Sequence, residues 1–122
     1  MHLLLLVLGV GLMGCASPPA TLDSPDPGGR MEAIRRAAEQ QDRSAIPGLI
    51  RQLESDDALI RLSASRTLER LTGQTMGYRH SDPEWRRRQA VDAWVQWMNQ
   101  GGLGGDAAAE SSRDKPEASD GS

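Results

Sequence analysis

Apolar residues along this chain recur at the three-and-four spacing of amphipathic helices, and no stretch alternates as a half-buried strand would. Met31, Ile34, Ala37 and Ala38 fall on one stripe between Arg30 and Gln41. Ile46, Leu49, Ile50 and Leu53 repeat the pattern between Ser44 and Glu54. Pro47 sits in the first turn of that segment, where its missing amide proton costs little. Asp57 to Thr72 carries Ile60, Ala64, Leu68 and Leu71, and Gly73 follows as a C-terminal stop. A last helix is expected from a cap at Asp82, with Pro83 at its first position and Glu84 in its first turn. It runs to Asn99 and buries Ala90, Val91, Trp94, Trp97 and Met98. The pattern predicts an all-α domain of four helices over residues 30–100.

The flanks differ from this body. Ala16 to Gly29 holds Pro18, Pro19, Pro25 and Pro27 among Ser, Asp and Gly, which predicts a linker over residues 15–29. Extended at roughly 3 Å per residue, it would hold the domain roughly 40 Å from its point of attachment. Residues 101–122 are Gly, Ala, Ser and charge without periodicity, the composition of a disordered tail.

The apolar run Leu3 to Met13 is too short to span a bilayer, which takes roughly 20 residues. It fits the core of a cleaved signal. Its n-region, Met1-His2, lacks Lys and Arg, which leaves a start codon further upstream open. The run closes on Leu12-Met13-Gly14-Cys15, which holds the chain's single cysteine and resembles the lipobox of bacterial lipoproteins. The resemblance implies that residues 1–14 are a signal peptide cut before Cys15. It also implies that the Cys15 thiol carries a diacylglyceryl group with palmitate-type chains. The mature protein would then be lipid-anchored to a membrane and face the periplasm. In that family an Asp after the cysteine often marks inner-membrane retention, so Ala16 favours the outer membrane. An ordinary secretory signal or N-terminal anchor that happens to contain a cysteine is the alternative. A lone cysteine excludes an internal disulfide, whereas two or three acyl chains would anchor the protein stably.

Ala45-Ile46-Pro47-x-Leu49-Ile50-x-x-Leu53, then Asp56-Asp57 and Ile60-Arg61-x-x-Ala64-x-x-Leu68, is similar to the HEAT repeat. That resemblance implies antiparallel helix pairs stacked into a short solenoid, with Asp57 (or Asp56) and Arg61 locking the turn. It covers Arg30 to Gly73; the stretch from Gly73 to Met98, with Tyr78 and Trp85, Trp94 and Trp97, departs from the consensus and resembles the C-terminal part of small HEAT-like bacterial lipoproteins. A generic four-helix bundle is the alternative. Repeat arrays need about three or more units to bury a continuous core, and two are present. Trp94 and Trp97 are expected to cap the open end, with self-association into a homo-oligomer through that end as the competing solution.

Charge and chemistry narrow the function. Residues 30–100 hold twelve Arg against ten Asp and Glu, so the body is nearly balanced. That leaves no electrostatic footprint for nucleic acid. His80, with Asp82 nearby, falls short of the three or four ligands a metal needs. Ser63 and Ser65 have no recognisable base partner. Gly101-Gly102 and Gly104-Gly105 lack the strand-to-helix context of a phosphate loop. No catalytic residue, metal or cofactor is expected. Trp85 falls nearly opposite Trp94 on the helical wheel. It either packs under the Gln74–Ser81 loop against Tyr78 or stands exposed as a partner anchor. Arg86, Arg87 and Arg88 follow it as a solvated face, or as a contact to lipid phosphate or an acidic partner. Tyr78, Trp85, Arg86 and Arg87 are therefore the candidate partner surface. The expected function is a membrane-anchored, non-catalytic interaction or scaffold module with a protein partner in the cell envelope. The alternative is a self-assembling structural lipoprotein.

Overall fold

The computed structural model describes residues 19–104, and within them the protein is all-α, with four α-helices and no strand. Residues 1–14, Cys15 and the tail from Gly105 onward lie outside the described residues. Helix α1 spans Pro27–Glu39, α2 Ile46–Gln52, α3 Ala58–Thr72 and α4 Glu84–Asn99. A short 3-10 turn, Arg43–Ala45, leads into α2, and a second, Gly102–Gly104, follows α4.

Local chemistry sets these boundaries. Asp26 caps α1 by accepting from the Gly29 amide, and Pro27 opens the helix with its φ already fixed. The helical body thus begins at Pro27 rather than at Arg30, inside the stretch expected to be linker. Asp57 caps α3, its carboxylate accepting from Leu59 N at 2.8 Å and Ile60 N at 3.3 Å. Gly73 ends α3 in the left-handed region at φ 72°, where a side chain would be strained. At α4 the expectation fails. Pro83, not Asp82, is the N-cap, and no side chain caps the helix. Asp82 is held in the preceding turn instead: its amide donates to Arg79 O, its carbonyl accepts from Arg87, and its carboxylate faces Arg86.

Helix α3 packs against both α1 and α2, and α2 also packs against α4. The core is built from the predicted stripes: Ile34, Ile46, Leu49, Ile50, Leu53, Ile60, Ala64, Leu68, Ala90, Val91 and Trp94 are all buried. Trp94 is 1% exposed and forms a T-shaped pair with Trp97, 5.4 Å between ring centroids. The chain then closes over that end. A Cβ on Gly102 would lie 2.2 Å from the Trp97 ring, so only glycine allows the backbone to approach so closely. Residues 101–104 therefore belong to the folded body rather than to the tail.

The stretch before α1 is not an extended spacer. Ala20 to Asp26 lies along the groove between α1 and α2, held by Arg36 to Ala20 O (3.2 Å) and Gln52 to Leu22 O (2.9 Å). Arg30 adds bonds to Ser24 O and Pro25 O. Leu22 packs on the core over Gly48, where an added Cβ would stand 2.5 Å from its Cδ1. Gly48 weakens a seven-residue helix that can spare little, and the space it leaves admits Leu22.

Candidate functional site

The turn between α2 and α3 and the loop between α3 and α4 meet at one end of the molecule, and Arg61 ties them together. Its Nη1 donates to Ser55 O at 2.8 Å and to Asp56 O at 2.9 Å. Its Nε and Nη2 reach His80 O at 3.4 Å. Asp57 and Arg61 thus serve the same corner by different means, the first as a helix cap and the second as a clamp on backbone carbonyls. The reach to His80 is invisible in the sequence, because it joins residues 19 apart through a carbonyl that any residue type would supply.

Of the candidate partner surface, Tyr78 does not belong to it. It is 8% exposed, and its hydroxyl donates to Leu53 O at 2.6 Å, which joins the long loop to the end of α2. Burial pushes its phenol above the ordinary range, with the nearby Arg61 and Arg87 opposing that shift. Trp85 does the reverse of packing beneath the loop. It is 58% exposed on the first turn of α4, with the Arg86 guanidinium 4.9 Å from its ring centroid. Tyr78 is buried in the loop and Trp85 exposed on α4, and no ring pair joins them among the described residues.

The three arginines after Trp85 divide their tasks. Arg86 stacks on Trp85 and stands 4.0 Å from Asp82. Arg87 is half-buried and spends Nη1 on Asp82 O at 2.6 Å, which fixes the entry to α4. Arg88 pairs with Glu84 one turn back at 2.7 Å. Arg87 is therefore chiefly structural, while Trp85 and Arg86 present the exposed pair. Beside them Leu53, Glu54, Asp56, Glu84, Arg87 and Arg88 line a shallow, mostly polar depression.

His80 lends the fold its carbonyl, and among the described residues no three His, Cys, Asp or Glu side chains gather as metal ligands would. No helix among the described residues is long and apolar enough to cross a membrane. The surface at this end offers an aromatic face, a guanidinium and a polar hollow, which suit contact with another surface. No protein-family model, curated protein or solved structure matches the chain.

Proposed function

We propose that this protein is a lipid-anchored interaction module of the bacterial cell envelope, a short HEAT-like helical stack tethered through Cys15. The anchor rests on Leu12-Met13-Gly14-Cys15 and the apolar run before it. The stack rests on α1 and α2 packed against α3, with Asp57 and Arg61 at the turn where the repeat family places them. The observation that carries the binding role is Trp85. A small domain that encloses Trp94 leaves a second tryptophan 58% exposed and stacked by Arg86. Tryptophan and arginine together are the residue types enriched at interface hot spots. The mechanism is confinement: acyl chains hold the domain at a surface, which raises its effective concentration for a partner there.

Two variants test the two halves of the reading. Cys15→Ala should lose acyl labelling and membrane retention; retention of both would defeat the anchor. Trp85→Ala should stay folded and acylated yet lose its partner in a detergent pull-down from crosslinked cells. Recovery of the protein with only itself, from parent and variant alike, would point instead to a self-assembling layer.

A further inference from the structure

The strap before α1 reaches the body at a defined end of the molecule. Ala20 is held by Arg36 in the later turns of α1. The same end holds Arg43 before α2, which bonds Leu71 O at the close of α3 and Gly102 O beyond α4. From there the strap runs past Gly48 and Gln52 to Arg30 and the start of α1. Trp85 lies at the other end, where α4 begins beside Leu53 and Glu54. Helix α4 has 16 residues and separates the two ends by about 24 Å.

This geometry bears on the membrane once Cys15 is taken as acylated, the reading on which the inference rests. Cys15 precedes Pro19 by four residues, and a chain that short reaches at most about 14 Å even when fully extended. The domain cannot stand off by the length of a free Pro-rich spacer, because Leu22 and the bonds to Ala20, Leu22 and Ser24 consume that length.

We infer that the strap sets the orientation of the domain on its lipid surface, with the Gln40–Arg43 and Gly102 end beside the headgroups and Trp85–Arg88 facing the aqueous layer. The charge of the strap face opposes the alternative of lying flat on it. On that face Arg51 is paired with Asp23 at 3.4 Å and Arg30 is bonded to strap carbonyls, which leaves the exposed Glu54 and Asp56 to meet the phosphates of anionic lipid. Exposed leucines stand at both ends, Leu103 beyond α4 and Leu59 in the first turn of α3, so the choice between the ends comes from where the tether leaves the body. About 24 Å is several Debye lengths at physiological salt, so Arg86 and Arg88 are directed to a partner beyond the membrane rather than to its own lipid.

The test uses the full acylated protein in phosphatidylglycerol-containing vesicles that carry a headgroup acceptor dye. Because acylation blocks Cys15, a donor can be placed singly on Gln40→Cys or on Ser81→Cys, both exposed positions. Energy transfer should be several-fold higher from Gln40→Cys than from Ser81→Cys. Equal transfer, or the reverse order, in protein whose intact mass includes the acyl chains overturns the orientation while leaving the anchor standing. A mass without acyl chains overturns the anchor, and the orientation with it. Leu22→Asp, once circular dichroism shows an unchanged helical signal, should lengthen the tether and shrink the difference between the two donors. An undiminished difference would mean that the strap does not orient the domain.

Discussion

Trp94 is where the packing account is most exposed to measurement. Its side chain is 1% exposed, closed in by the core and by the ring of Trp97. An aromatic of this kind buries about 150–250 Å², which at about 25 cal/mol per Å² corresponds to about 4–6 kcal/mol. Measured aromatic-to-alanine truncations, at about 3–5 kcal/mol, agree. Domains are stable by only about 5–15 kcal/mol, and small ones lie toward the bottom of that range. Trp94→Ala should therefore lose most of its stability in urea unfolding followed by circular dichroism. A second substitution separates bulk from polarity. Trp94 Nε1 is buried with no acceptor among the described residues, and an unsatisfied donor costs about 1–3 kcal/mol. Trp94→Phe removes that donor while it gives up part of the ring, so the two effects nearly cancel and the variant should fall within about 1 kcal/mol of the parent. A loss below about 1 kcal/mol for Trp94→Ala would refute the placement of α4 on the core.

Other substitutions probe the corner and its loop. Tyr78→Phe leaves Leu53 O without its donor and should cost about 1–3 kcal/mol at neutral pH, read from the shift in urea midpoint. Because the folded state raises the phenol's pKa, the stability Tyr78 contributes is intact below the ordinary value near 10 and is lost as pH rises through the folded value. Urea midpoints should thus fall above about pH 10 in the parent and fall less in Tyr78→Phe. Asp57→Ala removes the cap of α3 and should cost about 0.5–2 kcal/mol by the same assay. Trp85→Ala, on an exposed face, should move stability by no more than about 0.5 kcal/mol; a larger loss would make Trp85 part of the core and remove it from the binding surface.

The helical body was legible because burial on one face imposes a period the sequence must obey. Ile46, Leu49, Ile50 and Leu53 could not be arranged otherwise and be buried together. The Asp-Pro signature shows where such reading stops. It occurs at Asp26-Pro27 and again at Asp82-Pro83; the first is a capped helix start, whereas at the second the helix begins a residue later. Identical local chemistry gave different outcomes because Arg86 and Arg87 hold Asp82 in its turn. The strap was missed for a related reason. Among prolines and small polar residues, one leucine makes no periodic pattern, and its complement is Gly48, twenty-six residues away and itself without a side chain. The available signal is Gly48 inside the short helix Ile46–Gln52, between Ile46 and Leu49 of its apolar stripe, a costly choice that needs a packing reason. The candidate surface divided along the same line. Period places Trp85 opposite Trp94 but leaves packing under the loop open, and no period applies to the loop that carries Tyr78, whose hydroxyl is tied to Leu53 O.

The most direct test of a tethered binding module places a photo-crosslinking amino acid at position 85 of the full-length protein and irradiates living cells. The account predicts one heterologous envelope protein joined in a defined adduct, reduced by Arg86→Ala and lost when Cys15→Ala frees the domain from the membrane. Adducts only with a second copy of the chain or with lipid, or a heterologous adduct indifferent to Cys15→Ala, would contradict it.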